Sequence, residues 1–251
     1  MSKPNLKGLR VAVLAADGVE QVELTSPREK LEDHGAEVEV ISLRSGSIRA
    51  MNLLKPGKKI RVAHTVFTAD PDRYDALLLP GGFASPDFLR QSEQVLDFVR
   101  RFDRHGKPIA VICHGPWVLV SAGLVRGRRL TSWPGLQDDV RNAGGTREDE
   151  AVVRDGNWVS SRGPQDVRKF NRAMLELFAD EAPFTDLHEG GSAMSLGGLV
   201  ASGLALAAIG YGLRQWQGGE PGDAGHRYER GDDVRGTRAA PSRYAEANVA
   251  L

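Results

Sequence analysis

Short apolar segments recur in the first half of the chain, and their pattern restricts the fold more than any other feature. The first, RVAVLAA at residues 10–16, shows no alternation of apolar and polar positions. Such a run is typical of a strand that is buried on both faces of a parallel sheet. Three further strands are predicted at EVEVIS (37–42), DALLL (75–79) and IAVI (109–112).

Helical patterns separate several of these strands. Residues 20–34 form an amphipathic pattern that ends at Gly35, and this succession is the β-α-β rhythm of a doubly wound sheet. Residues 43–74 carry no helical period, and an added hairpin is predicted there at 60–68. Past the fourth strand, the sequence predicts helices at 135–143 and 164–177 with an extended segment at 151–154.

The composition restricts the class of protein and its compartment. Lys plus Arg equals Asp plus Glu at 33 each, so the net charge gives no reason to expect nucleic-acid binding. A single cysteine cannot form an internal disulfide, and the N-terminal MSKPNLKGLR lacks the apolar core of a secretory signal. Both observations favour a cytoplasmic enzyme domain.

The C-terminal part differs in character from the rest. A folded domain is predicted for residues 1–182 and a linker for 183–192. Residues 193–213 contain no charged residue and as a helix would measure about 30 Å, enough to cross a bilayer, although five glycines weaken insertion. Weak membrane association is therefore predicted, with packing against another subunit as the alternative. Residues 214–251, rich in Gly, Arg and Asp, are predicted to be a disordered tail.

Cys113 follows the strand IAVI directly and precedes a segment that can begin a helix. This is the layout of a nucleophile elbow, in which a sharp turn exposes a side chain at the carboxyl end of the sheet. A helix N-terminus behind the thiol would favour its thiolate. Taken alone, the motif fits equally well with a small buried core cysteine.

Four sequence blocks carry a resemblance to a known family. The chain resembles the PfpI family of the ThiJ/PfpI superfamily, which is related to the class I glutamine amidotransferases. This implies an α/β fold, a flavodoxin-like three-layer sandwich with a mainly parallel sheet, over roughly residues 8–180. The blocks are LPGGFASPD (79–87), ICHGPW (112–117), TSWPGLQDDVRNAGG (131–145) and DGNWVSSRGPQD (155–166).

The resemblance implies roles for four residues around the elbow. It makes Cys113 the nucleophile, His114 its acid/base partner, and the amides of Gly82 and His114 the oxyanion hole. It also implies an early carboxylate that approaches the thiol and keeps its proton. The matching position is Glu20, and Glu23, one helical turn further on, is the rival. The alternatives without a catalytic role are that Glu20 is a charge at a helix N-terminus and that His114 is a partly exposed loop histidine.

The resemblance further implies a homo-oligomer in which an acidic residue after the PGG turn reaches a neighbouring subunit's histidine. Asp87 matches that position in a turn one residue longer than in some relatives. The alternative is that Asp87 caps a helix from Phe88 to Arg104. Both interpretations stay open.

The reaction is open among several that share the same machinery. The leading hypothesis is hydrolase or lyase chemistry on dicarbonyl or glycated substrates, as in deglycases and glyoxalase-type enzymes, and the alternative is an intracellular peptidase. A non-enzymatic stress sensor or chaperone using Cys113 is a third possibility. A glutaminase is disfavoured because LHEGG (187–191) does not supply a His-x-Glu pair. No metal-ligand spacing, G-x-G-x-x-G or Walker loop occurs, so no cofactor is expected.

Overall fold

The computed structural model of the protein describes residues 4–181. The strands in this part of the chain are β1 (Arg10–Leu14), β2 (Glu37–Ser42), β3 (Ser47–Asn52), β4 (Lys55–Arg61), β5 (His64–Thr65), β6 (Ala76–Leu79), β7 (Ile109–Ile112), β8 (Arg129–Leu130), β9 (Thr146–Arg147), β10 (Val152–Asp155) and β11 (Trp158–Ser161). The helices are α1 (Gln21–Asp33), α2 (Ala84–Arg90), α3 (Glu93–Arg104), α4 (Pro116–Ser121), α5 (Gln137–Asn142) and α6 (Val167–Glu181).

Seven strands form the central sheet in the order β10-β11-β7-β6-β1-β2-β5. Neighbouring strands are parallel except at one edge, where β10 runs antiparallel to β11. The strands β1, β6 and β7, which lie next to one another, are buried along nearly their whole length. Burial on both faces explains why these segments read as continuous apolar runs.

Helices cover both faces of the sheet and produce two apolar cores. One core joins the sheet to α1 and α6 through residues such as Leu24, Leu31 and Phe170. The other joins it to α3, α4 and α5 through residues such as Phe98 and Phe102. The protein is therefore a flavodoxin-like three-layer α/β sandwich with a mainly parallel sheet, as predicted.

The four predicted strands are confirmed, but the added hairpin lies elsewhere than predicted. The sequence placed it at 60–68, whereas β3 and β4 pair over 47–61. Ile48, Ala50 and Ile60 turn inward from this hairpin and join the core beside α1. Which residues of the hairpin are buried depends on their packing against α1, which is a tertiary contact. The local sequence pattern does not contain this information, so it misplaced the hairpin.

The predicted helix from Phe88 to Arg104 is also wrong in its bounds. The chain becomes helical at Ala84 and is interrupted at Gln91 and Ser92, between α2 and α3. Asp87 therefore lies inside the first turn of α2 and does not cap a helix that starts at Phe88.

The predicted linker, apolar segment and tail at 183–192, 193–213 and 214–251 lie outside the described residues. Among residues 4–181, the helices are too short or too polar to span a bilayer. Membrane association through 193–213 stays a prediction.

Candidate active site

Three loops meet at the carboxyl edge of the sheet, where β1, β6 and β7 end side by side. The loop after β1 leads to Glu20, the loop after β6 carries Gly81 and Gly82, and Cys113 follows β7. The Glu20 N–H donates to the Gly81 carbonyl at 3.2 Å, which joins two of the loops. Carboxyl edges of this kind are where ligands bind in open α/β sheets.

Cys113 adopts a backbone conformation that non-glycine residues rarely occupy. Its φ is +63°, and its N–H donates to the Ser161 carbonyl at 3.0 Å. A left-handed cysteine costs free energy, and such strain is typical of functional turns. Cys113 is only 4% exposed and lines a pocket. The predicted elbow geometry is thus present.

The carboxyl group that contacts the thiol belongs to Glu23, so the preference for Glu20 was wrong. Glu23 is fully buried, its side chain hydrogen-bonds Cys113, and its Oε2 accepts the Gly81 N–H at 2.9 Å. Glu20 is the residue before α1, and its Oε2 accepts the Leu53 N–H at 2.9 Å. Glu20 lines the same pocket but holds the β3–β4 hairpin, and its side chain does not cap the helix.

Burial raises the pKa of Glu23 to about 8, so the carboxyl group is largely protonated at neutral pH. Its second oxygen, Oε1, is buried and has no hydrogen-bond partner within the described residues. Burial and a charged Glu23 both raise the pKa of Cys113, which opposes the predicted effect of the helix N-terminus. While Glu23 keeps its proton, the repulsive charge is absent and the carboxyl can donate to the sulfur.

Two backbone N–H groups approach the sulfur, and glycine makes that approach possible. The amides of Gly82 and His114 both hydrogen-bond the Cys113 side chain. A Cβ on Gly81 would lie 2.6 Å from the Cys113 Cβ and 2.6 Å from Glu23 Oε2. Gly82 has φ +80°, and a Cβ there would meet the Gly18 oxygen at 2.3 Å. The PGG turn therefore excludes side chains for steric reasons.

His114 lies beside the thiol, with its Nδ1 3.2 Å from Cys113 Sγ. Burial lowers the pKa of His114 and thereby favours the neutral imidazole, which can accept a proton. The ring is stacked on Trp133, with centroids 5.7 Å apart, and Trp117 contacts it edge-on at 5.2 Å. These two aromatic rings hold the imidazole against the sulfur.

Trp133 is a site residue to which the sequence interpretation gave no role. It lies in the block TSWPG, and its backbone N–H donates to the Cys113 carbonyl at 2.9 Å. Trp133 is 37% exposed and lines the pocket. The signals available in the sequence were its place in one of the four blocks that carry the family resemblance and an aromatic side chain outside the predicted strands and helices.

The pocket over Cys113 has a volume of about 230 Å³ and is mainly apolar. Leu53, Leu54 and Phe83 at its mouth are 72%, 80% and 54% exposed. The residues that line it are Gly18, Glu20, Leu53, Leu54, Gly82, Phe83, Cys113, His114, Trp133 and Pro164.

Asp87 does not line this pocket. It is exposed on α2, and its carboxylate accepts from Gln91 Nε2 at 3.3 Å. Within the described chain it therefore contacts neither Cys113 nor His114. Among residues 4–181, no group of three or more His, Cys, Asp or Glu side chains could hold a metal ion.

A mainly parallel sheet between two helical layers, with a buried cysteine in a strained turn at its carboxyl edge, is the geometry of the α/β proteins that carry an elbow after a central strand. The sequence profile of the DJ-1/PfpI family matches residues 9–177. This match covers more than half of the chain, which therefore belongs to the DJ-1/PfpI family.

Three similar proteins represent this family. A deglycase of Pyrococcus abyssi is 44% identical over 169 residues, which are 67% of this chain and 99% of the relative. YraA of Bacillus subtilis, provisionally named a cysteine protease, is 38% identical over 168 residues, or 67% of this chain and 97% of the relative. The crystal structure of Drosophila melanogaster DJ-1beta is similar with a TM-score of 0.63 and 28% identity, covering 68% of this chain and 91% of that chain.

Proposed function

We propose that this protein is a cysteine-dependent enzyme that acts on reactive carbonyl adducts, as a deglycase or a glyoxalase-type enzyme. The observation that carries this proposal is the grouping around Cys113. His114 Nδ1 lies 3.2 Å from the sulfur, the Glu23 carboxyl contacts it, and two amides point toward it. The name of the P. abyssi relative supports the same activity.

In the first step of this proposal, the Cys113 thiol gives its proton to His114 Nδ1 and its sulfur adds to the substrate carbonyl carbon. The C–S bond forms as the π-electron pair moves to the carbonyl oxygen. The Gly82 and His114 amides, which contact the sulfur when the pocket is empty of substrate, then donate to that oxygen. Protonated His114 supplies the proton that the leaving group or the oxygen needs.

The dimensions of the pocket favour small carbonyl compounds over polypeptides. A volume of about 230 Å³ walled by Phe83, Trp133 and Leu53 accepts a dicarbonyl or a modified side chain. An extended peptide needs a cleft that binds several successive residues. Peptidase activity is the second candidate because YraA is named for it.

Parallel assays of the purified full chain on three substrates test the choice. The substrates are methylglyoxal, a methylglyoxal adduct of a thiol or an amine, and an unfolded protein, with Cys113→Ser as the blank. We expect Cys113-dependent turnover of the dicarbonyl or its adducts and little proteolysis. Proteolysis as the faster Cys113-dependent reaction would replace the proposal with the peptidase.

We also propose that the site is completed by a second copy of the chain. Asp87 is exposed on the helix that follows the PGG turn, and Phe83 and Phe88 beside it are 54% and 48% exposed. Exposed aromatic residues around a site are common at protein interfaces. A neighbouring subunit would cover them and bring Asp87 toward that neighbour's His114.

Asp87→Asn is expected to lower kcat about 10-fold and to leave the unfolding midpoint nearly unchanged, because a positioning carboxylate orients the histidine of another subunit. Asp97→Asn, on the exposed side of α3, is the matched control. Activity per mole should also fall on dilution through the dimer dissociation range. Full activity of separated monomers would contradict the shared site.

A further inference from the structure

The β3–β4 hairpin is strongly basic although the chain as a whole is neutral. Residues 40–69 contain six Lys or Arg and no Asp or Glu, whereas the full sequence has 33 of each sign. The six cations are Arg44, Arg49, Lys55, Lys58, Lys59 and Arg61. Such segregation of charge produces a local positive field that attracts anions.

The strand register places like charges directly opposite one another. Arg49 pairs with Lys59 across the hairpin, and Ser47 pairs with Arg61. The inward residues Ile48 and Ile60 alternate with these positions, so the three cations share the outer face. Like charges in cross-strand pairs destabilise a sheet. Residues that destabilise the fold are often retained because they serve a function, and the Arg49–Lys59 pair is such a case.

Few acidic groups neutralise this face. Asp17 forms a 2.5 Å ion pair with Arg44, and Arg49 donates to the neutral Gly57 carbonyl at 3.0 Å. Lys55, Lys58, Lys59 and Arg61 have no ion pair within residues 4–181. Glu29 and Glu32 of α1 line a groove with Lys58, Lys59 and Arg61 on the other side, and Glu32 is paired with Arg28 at 2.7 Å.

A shallow polar groove lies on the same face. It measures about 410 Å³ and presents three cationic side chains, two hydroxyl groups and one carboxylate. Its lining residues include Asp17, Arg44, Ser45, Ser47, Arg49 and Lys59. Guanidinium, ammonium and hydroxyl groups together are the donors that phosphate oxygens accept from.

Two leucines project from the tip of this basic hairpin. Leu53 and Leu54 are 72% and 80% exposed, and Leu53 has φ +56°. The Glu20 carboxylate fixes this conformation by accepting the Leu53 N–H. Adjacent exposed leucines leave a large apolar area in water, and here they are held outward by the backbone.

We propose that the β3–β4 hairpin docks on the surface of an anionic lipid bilayer. The leucine tip enters the interface between headgroups and acyl chains, while Lys55, Lys59 and Arg61 contact the negative headgroups. Nucleic acid fits less well because the two leucines would stay in water and β3 and β4 contain no aromatic residue for base stacking. This inference does not depend on the proposed reaction, and it requires that the second copy proposed above leave Leu53 and Leu54 uncovered when Asp87 reaches His114.

Vesicle co-sedimentation of the full chain tests the proposal. One set of vesicles contains phosphatidylcholine only, and the other contains about 30% phosphatidylserine. Lys55→Gln/Lys59→Gln/Arg61→Gln removes three charges from the hairpin, and Leu54→Ser removes apolar area from its tip. The matched control, Lys7→Gln/Arg104→Gln/Lys169→Gln, removes three exposed cations located elsewhere in the fold.

We expect preferential binding to the anionic vesicles, with a partition coefficient that falls at least 10-fold in the hairpin triple variant and several-fold in Leu54→Ser. The control triple variant should bind within about 2-fold of wild type. The proposal would be overturned if both triple variants bound equally well or if wild type bound neutral vesicles as well as anionic ones, and either result would implicate residues 193–213 instead. It would also be overturned if wild type did not bind vesicles at all. A hairpin triple variant that changes oligomer size but not vesicle binding would assign this surface to a second copy.

Discussion

Cys113→Ser is expected to lower turnover of any carbonyl substrate by at least about three orders of magnitude, because a serine hydroxyl at this position ionises far less readily than a thiol. The variant should fold, since the hydroxyl is smaller than the thiol it replaces and can accept hydrogen bonds from the Gly82 and His114 amides. Steady-state kinetics on the substrate selected by the parallel assays measures the loss.

Cys113→Ala and wild-type protein alkylated with iodoacetamide serve as companions to this variant. Cys113 is the only thiol in the chain, so alkylation modifies a single site and should abolish turnover to the same extent. Unfolding midpoints within a few degrees of wild type would show that the fold is retained. Turnover by Cys113→Ser within 10-fold of wild type would contradict nucleophilic catalysis by Cys113.

Glu23→Gln is expected to change how stability depends on pH. The folded protein raises the pKa of Glu23 from 4.5 to about 8, so between these pH values the folded state binds a proton that the unfolded state has released. The favourable contribution of this proton is fully present below about pH 4.5 and is lost as the pH rises to about 8. The loss amounts to at most about 5 kcal/mol.

A glutamine side chain does not ionise, and its amide oxygen can still accept a hydrogen bond from the Gly81 N–H. Glu23→Gln should therefore gain stability over wild type as the pH rises from 5 to 8, as measured by denaturant unfolding at several pH values. The variant also lacks the negative charge beside the sulfur, so Cys113 alkylation above pH 8 should be faster than in wild type. Glu23→Asp, whose shorter side chain withdraws the carboxyl, should perturb the thiol more.

Glu20→Gln is the matched control because it makes the same chemical change one helical turn away and leaves Glu23 in place. It should retain most of the pH dependence of wild type, because the charge of Glu20 contributes less to the raised pKa of Glu23 than burial does, while loosening the contact with Leu53. If Glu23→Gln kept the wild-type pH dependence and Glu20→Gln lost it, Glu20 would be the carboxyl coupled to the thiol.

Much of the fold could be predicted from local patterns. The apolar runs at β1, β6 and β7 and the helical period of α1 are properties of residues close together in the sequence. An apolar run without alternation is stable as a central strand of a parallel sheet, where both of its faces are buried. The position of Cys113 directly after β7 follows from the same patterns. So does the meeting of the three loops, because neighbouring parallel strands end at one edge of a sheet.

The identity of the coupled carboxylate was decided by tertiary structure. Glu20 directly precedes α1 and Glu23 lies in its first turn, three positions later, so helical periodicity cannot choose between them. The choice depends on Leu53 and Gly81, which are distant in sequence and offer their N–H groups to Glu20 and Glu23 respectively.

The protonation behaviour of the thiol and the location of the hairpin likewise depended on the folded chain. The motif around Cys113 predicts that a helix N-terminus stabilises the thiolate. In the structure α4 has only six residues, and burial together with the charge of Glu23 raises the pKa of Cys113 instead. The hairpin position depends on which residues find an apolar partner in α1. The sequence determined the sheet, the elbow and the site edge, because these follow from local periodicity. Tertiary packing decided which side chains touch, because that depends on contacts between segments far apart in the chain.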